Sequence, residues 1–383
     1  MNFLSPEQIL WKETVSRFVD QEVGLDYIRR CDRERQYPYE GYAKVAKEGW
    51  LGLMVPEDEG GLGGDIFSYA LMCEGLGKYG FDFAAAIMVP TFNAMNIVHH
   101  GTAEQKERYL SPFLAGEMRF SISISEPGVG SDAASVTTRA REEDGAKGGG
   151  WVLNGQKLWC SGALADNAVL NMLVRTDPEA PKHQGLSVFL VPNTTPGLDI
   201  RPLTTLARRA TGTTEIFIDD CRLPASALLG RPGEGWKIIT GTLELERVAV
   251  CAAYVGNAQT VVDKSLRYAH DRIQFDRPIF DFQTIKHTLA DMQTQVDAAR
   301  LMVYRAAELA TAGEPCSAQV AMAKLFASET LQTVSRQGLQ IHGGHGMVPE
   351  HDVERYFREG MQSTVGGGTS QIQRTIIAKS MVP

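Results

Sequence analysis

The 383-residue chain has few cysteines, and their arrangement excludes more than it supports. Cys31, Cys73, Cys160, Cys221, Cys251 and Cys316 are widely scattered, and no two form a C-x-x-C pair. That rules out the signature of a zinc ribbon or a dithiol redox centre and points to reduced, buried thiols. No H-E-x-x-H occurs, and the only close histidines, His99-His100 and His342/His345, lack a carboxylate or cysteine at metal spacing. No metal site is expected. No basic run stands out, and the net charge is -8, which excludes a general nucleic-acid surface. No apolar run reaches the roughly 18–20 residues of a bilayer span. The start, Met1-Asn2-Phe3-Leu4-Ser5-Pro6-Glu7, reads as neither a signal peptide nor an Arg-rich transit peptide, so a cytoplasmic protein without a membrane partner is expected. Internal repeats and low-complexity linkers are also missing.

What is present is helical at both ends and strand-like between. Ser5-Pro6-Glu7-Gln8 reads as a helix start, with Ile9, Leu10, Val15, Phe18 and Val19 at roughly helical spacing. Further helical patterns cover Tyr39–Glu48, Ile66–Gly77 and Ala84–His99, and Thr102 with Gln105 forms a capping box. Near Phe120 the period changes. Phe120–Ser125 alternates strictly, and short strand-like runs follow at Ser135–Arg141, Gly150–Asn154, Ala168–Arg175, Leu186–Val191 and Glu215–Ile218. From Gly233 helices return, over Trp236–Asp271, Asp281–Ala312, Cys316–Gly343 and Thr369–Met381. The expected fold is α+β: an N-terminal helical domain (1–119), a central antiparallel β domain (120–228) and a C-terminal four-helix bundle (229–383).

Near the C-terminus, Val365-Gly366-Gly367-Gly368-Thr369-Ser370-Gln371 runs three glycines into a polar helix start. Glycine admits positive φ and close backbone approach, and the free N–H groups of a helix start seat oxygen-rich ligands. No Gly-Lys-Ser/Thr follows, so the stretch is not a Walker loop. A plain tight turn before a helix is the alternative.

Six segments, in order, resemble the acyl-CoA dehydrogenase family of flavoenzymes. They are Val55-Pro56-Glu57-x-x-Gly60-Gly61, Ser125-Glu126-Pro127-Gly128-x-Gly130-Ser131-Asp132 and Gly155-Gln156-Lys157-x-Trp159-x-Ser161. The others are Arg272-x-Gln274-Phe275-x-x-Pro278 with Gln283, Gln340-Ile341-His342-Gly343-Gly344-His345-Gly346, and the terminal glycine stretch. The resemblance spans essentially the whole chain. It implies FAD as cofactor, an acyl-CoA substrate, an electron-transfer flavoprotein as partner, and a homotetramer. Ile124, Ser125, Gly130 and Ser131 would bind the polar edge of the isoalloxazine, where donors favour the reduced ring. Trp159 would cover a flavin face, with Ser161 beside the reactive nitrogen. Arg272 would meet the pyrophosphate, Gln274, Phe275 and Gln283 would also bind the cofactor, and Gln340, Gly343 and Gly344 would meet the adenosine half from a neighbouring subunit. Thr369 and Gln371 would also touch cofactor, while Ser131, Glu244 and Arg247 would lie along the CoA arm.

The family reaction removes the α-proton of a thioester while hydride leaves the β-carbon. The base should be a carboxylate raised in pKa by a dry pocket. Many members carry it just before the Gly-Thr of the terminal stretch, where this chain has Gly367. Others carry it on the first long C-terminal helix, in a segment like L-x-x-E-R. Here Leu243-Glu244-Leu245-Glu246-Arg247 puts Glu246 at that position, resembling isovaleryl-CoA and long-chain acyl-CoA dehydrogenases and crotonobetainyl-CoA reductase. The Gly367 N–H would still serve the thioester oxygen. Glu244, two residues away, points about 200° around the helix. The segment Phe81–Thr91, expected to line the acyl pocket, offers no Arg or Lys for a dicarboxylic chain, and a branched or non-standard acyl group is favoured. An enoyl-CoA reductase, desulfinase or oxidase of the same fold, and a non-catalytic flavin-binding protein, are the competing readings.

Overall fold

The computed structural model describes residues 4–143 and 149–382. Two compact units are each assembled from separated stretches. One takes the residues up to Ile28, Asp65–Ala85 and Glu244 onward; the other takes Arg29–Gly64 and Ala86–Leu243. Along the sequence, helices give way to strands at Arg119 and resume at Gly235.

The first unit is helical. Its first helix, Pro6–Phe18, starts where the sequence placed it, because Ser5 accepts from the Gln8 N–H while Gln8 returns a bond to Ser5. Helices Ile66–Gly77 and Gly235–Asp271 touch backbone to backbone: a side chain at Gly77 would collide with Ala253, and one at Gly256 with Glu74. The buried Glu74 carboxylate gathers this packing, accepting from Lys12 Nζ (2.6 Å), Arg300 Nε (3.0 Å) and the Tyr304 hydroxyl (2.6 Å). Gln283–Thr311 and Ser317–His342 are the other long helices, and the chain closes with Ser370–Ser380.

Two elements here escaped the sequence reading. Helix Val353–Gln362 is dense in charge, yet Arg355, Arg358 and Glu359 are buried. A hairpin pairs Ile273–Gln274 with Arg277–Pro278. Its two loop residues, Phe275 and Asp276, both sit at positive φ (52° and 62°) without the Asn-Gly that normally announces such a turn.

The second unit holds the sheet. Its strands are β1 Arg119–Ser123, β2 Arg139–Glu142, β3 Gly150–Ser161, β4 Ala168–Arg175, β5 Leu186–Pro192, β6 Leu198–Leu203, β7 Thr213–Pro224 and β8 Leu228–Leu229. The order is β6-β7-β3-β2-β4-β5-β8, with β1 beside β4. Pairing is predominantly antiparallel, but β1 runs parallel to β4, and β2 meets β4 in parallel at one pair. Trp151, Leu153, Leu170, Met172, Phe189 and Ile216 share its core.

Alternation located β1, β4 and β5 well and truncated β3 and β7. The reason is local. The β3–β7 ladder shifts register between Leu153 and Gly155 and again between Leu158 and Cys160, and each bulge breaks the two-residue period. The expected strand Ser135–Arg141 is instead a short 3-10 turn, Ala133–Ser135, followed by β2, and β6 was not foreseen. One further correction concerns apolar runs. Helix Phe81–His100 is long and apolar enough to cross a bilayer, but its apolar window is 94% buried within the protein, as in a core helix.

Candidate active site

In the sheet unit the chain leaves β1 through Ile124 and Ser125 and turns at once. Glu126 and Val129 exchange backbone hydrogen bonds of 2.9 and 3.0 Å, closing the turn around Pro127-Gly128. The Ser125 carbonyl accepts from the Leu158 N–H at 2.8 Å, tying the turn to β3. Neither Gly128 nor Gly130 uses positive φ, so torsional freedom is not their role. A Cβ on either would meet no atom within 4 Å, which leaves bare backbone facing open space. A cavity of about 710 Å³ lies against this turn, lined by Glu126, Gly128, Thr137, Gly155 and Phe217 among others. Ser131 is exposed beyond it.

A buried ion pair holds the turn from beneath. Glu126 accepts from the Thr137 N–H and hydroxyl (both 2.7 Å), the Thr138 N–H (2.9 Å) and Lys157 Nζ (2.9 Å). Lys157 also donates to the Ile124 carbonyl at 3.1 Å, so that carbonyl is already engaged. Burial alone would raise the Glu126 pKa. The Lys157 charge and the threonine donors outweigh it and push the carboxyl down to about 2.

Trp159 is the other unusual element. It sits on the second β3 bulge at φ 64°, a costly conformation for a bulky residue, and the residue is 59% exposed beside the buried Cys160. A bulge that turns an indole out of a core strand offers a flat, apolar face. Ser161 follows, half-buried, its carbonyl engaged by Ser121. Bare turn backbone, flanking serines and an upturned indole fit a planar heteroaromatic ring with a polar edge.

In the helical unit, Gly367 and Gly368 both adopt positive φ (66° and 87°), and Gln373 Nε2 donates to both of their carbonyls, at 3.3 and 3.0 Å. Thr369 caps the helix that follows, accepting from the Ile372 N–H at 3.3 Å, and Gln371 is exposed in its first turn. A Cβ built on Gly367 would lie 3.8 Å from Glu246 Oε1 and 3.9 Å from Lys324 Cε. The Glu246 carboxylate therefore reaches the space beside position 367 from another helix. Glu244 turns elsewhere, to Cys316 Sγ at 3.8 Å. Arg247 Nε is buried with no hydrogen-bond partner among the described residues.

Arg272 is half-buried where Gly235–Asp271 ends, immediately before the hairpin. Gln274 and Gln283 are exposed, and Phe275 is 87% exposed. Gln340, Gly343 and Gly344 are exposed at the end of Ser317–His342, and added Cβ atoms on the two glycines would meet nothing.

Residues 5–117, 121–221 and 233–382 match the N-terminal, middle and C-terminal domains of acyl-CoA dehydrogenases. The chain belongs to the acyl-CoA dehydrogenase family. It is 38% identical to "Probable acyl-CoA dehydrogenase YngJ" of Bacillus subtilis over the full length of both. It is 37% identical to the human mitochondrial short-chain specific acyl-CoA dehydrogenase, with 96% of this chain and 88% of that one covered. Among solved structures, butyryl-CoA dehydrogenase from Megasphaera elsdenii superposes with TM-score 0.92 at 29% identity, covering both chains completely. A structure titled for the electron transferring flavoprotein of Acidaminococcus fermentans superposes with TM-score 0.93 at 30% identity, again over both chains. This acyl-CoA dehydrogenase is accordingly an oxidoreductase and flavoprotein that dehydrogenates acyl-CoA thioesters with FAD.

Sequence reasoning gave no role to three groups that shape these sites: Glu126 with Lys157, Gln373, and Lys324. Glu126 and Lys157 stood inside quoted motifs. Lys324 left a signal as the lone charge in Ala321-Met322-Ala323-Lys324-Leu325-Phe326-Ala327.

Proposed function

We propose that Glu246 is the base that takes the α-proton, in place of a carboxylate at position 367. The observation that carries this is the 3.8 Å between Glu246 Oε1 and the Cβ position of Gly367. A carboxyl oxygen stands within van der Waals distance of where a side chain at 367 would begin, although its backbone lies on another helix. The Gly367 N–H donates to the thioester oxygen as charge develops there. The α-carbon's C–H bond then breaks toward Glu246, and the enolate charge is held by that donor. When bound, FAD supplies the acceptor for the β-hydride.

Trp159, Ser125, Gly130, Ser131 and Ser161 are assigned to the flavin ring, with the Ile124 carbonyl kept for Lys157. Arg272, Gln274, Phe275, Gln283, Gln340, Gly343, Gly344, Thr369 and Gln371 are assigned to the rest of FAD. Ser131 and Arg247 are assigned to the CoA arm, where the unpartnered Arg247 Nε would find an acceptor. Glu244 is assigned there through its place beside Arg247. The base placement resembles isovaleryl-CoA and long-chain dehydrogenases, whereas named relatives are short-chain enzymes. We assign a neutral acyl chain, short or branched. Electrons pass to an electron-transfer flavoprotein, a reading supported by a neighbouring structure titled for an electron transferring flavoprotein. The enzyme is read as a cytoplasmic homotetramer of three-domain chains (1–119, 120–228, 229–383), in which the apolar Ile273 and Phe275 of the exposed hairpin meet a second copy.

The test is Glu246→Gln. The variant should keep FAD and fold while flavin bleaching by an acyl-CoA falls on the order of 10³-fold. A near wild-type rate would refute the assignment. Anaerobic bleaching against straight, branched and cyclic acyl-CoAs fixes the substrate class.

A further inference from the structure

Lys324 has no part in the chemistry described so far. Its side chain is fully buried on helix Ser317–His342, among the buried Ala321, Ala323 and Ala327. Lysine is almost never placed so without a partner. Its Nζ donates to the Ser363 carbonyl at 2.9 Å. Ser363 is gripped again from the same helix, its hydroxyl donating to the Ser328 carbonyl at 2.9 Å. From Ser363 the chain runs directly into the glycine turn. The lysine stem also borders that turn, with Cε 3.9 Å from the Cβ position of Gly367, the point that Glu246 Oε1 approaches to 3.8 Å. One side chain thus touches the segment that aims the Gly367 amide and flanks the carboxylate.

We infer that Lys324 is a positioning residue for proton abstraction: it fixes the segment carrying the Gly367 amide and supplies the positive charge beside which Glu246 stays ionised until the proton arrives. This rests on the reading of Glu246 as base. Burial pulls the Lys324 pKa down to about 8, with the Arg247 charge adding to the fall and Cys251, Glu246 and Glu329 opposing it. The ammonium form therefore still prevails at neutral pH. The titratable and charged groups around it are Glu246, Arg247 and the Cys251 thiol, kept neutral by burial, on Gly235–Asp271, and Glu329 on its own helix. Glu329 is itself paired at 2.8 Å with Arg374 of Ser370–Ser380. On Val353–Gln362, Arg358 pairs with Glu354 at 2.6 Å. The Ser363 segment contributes a neutral carbonyl. A cation near a carboxylate favours the ionised form, so its loss moves the carboxylate pKa upward.

The experiment uses FAD-loaded wild type, K324M, K324Q, K324R and E246Q, with butyryl-CoA and isovaleryl-CoA as probes. Anaerobic flavin bleaching is followed from pH 5.5 to 9, with FAD content and thermal melting measured on each protein. The acid limb of kcat/KM should move up by about one pH unit in K324M and K324Q. K324R, which keeps the charge, should return it toward wild type. Unmoved limbs in folded, FAD-loaded K324M and K324Q overturn the inference. So does loss of fold or FAD in all three lysine variants, which would make Lys324 a stability residue alone. Turnover in E246Q defeats the base assignment instead, whereas an inactive E246Q with unmoved lysine variants defeats only the role of Lys324.

Discussion

Two buried lysines, each near a glutamate, serve opposite ends. Lys157 meets Glu126 directly at 2.9 Å, and two threonines saturate the same carboxylate. Lys324 gives its hydrogen bond to the Ser363 carbonyl, and the nearby Glu246 is half-buried with one oxygen beside a glycine. The first carboxylate is driven down to about 2 and is useless as a base at neutral pH. It is a fastener for the turn that presents Ser125. The second has space in front of it because position 367 carries no side chain. What separates the fastener from the proposed base is the direction of the lysine's hydrogen bond, the lesser burial of Glu246 and the bare glycine beside it, since both lysines are fully buried.

The comparison breaks most sharply at Glu246. Glu246→Gln should cost on the order of 10³-fold in flavin bleaching with melting unchanged, whereas Glu126→Gln should keep the proton chemistry and lose stability. Moving the carboxylate back sharpens the point. In E246G/G367E the new Cβ would have ordinary van der Waals room, so a measurable part of the bleaching rate should return. The side chain at φ 66° should lower the melting temperature by an amount equivalent to about 1–2 kcal/mol. No recovery over E246G would show that position 367 and Glu246 do not serve the same point.

Lys157→Met should destabilise by about 3–5 kcal/mol in denaturant unfolding, because it strands Glu126 in the interior. A loss under 1 kcal/mol would place the pair among dispensable ones.

Acid unfolding reads the same pair. The Glu126 pKa is depressed in the folded protein, so its stabilisation is fully present above its ordinary value near 4.5 and disappears as pH falls toward about 2. The shift corresponds to on the order of 3 kcal/mol. Stability against pH should therefore fall less between pH 5 and 2 in Glu126→Gln than in wild type, and parallel curves would contradict this. The smallest effect expected is at the N-terminus. Ser5→Ala removes one cap and should lower stability by about 1 kcal/mol without changing turnover.

The helical elements were legible because their signals are local. The helix start at Ser5 and the capping box at Thr102 formed as read, since each needs only residues three apart, and the Ser5 start proved to be a capping box as well. Helix Val353–Gln362 was not legible, because burial of Arg355 and Glu359 reverses the usual meaning of charge. In the sheet, the two bulges of β3 hid its full length and at the same time turned Trp159 outward.

By itself the sequence determined the order of helices, strands and helices, the motifs that mark a flavoenzyme, and the absence of a carboxylate at position 367. Those depend on short-range spacing and residue identity. Only the tertiary structure decided which side chains approach that position. Glu246 and Lys324 lie on different helices, 78 residues apart in sequence, and no local pattern links them. Packing alone brings the carboxylate of one and the stem of the other to the same bare glycine.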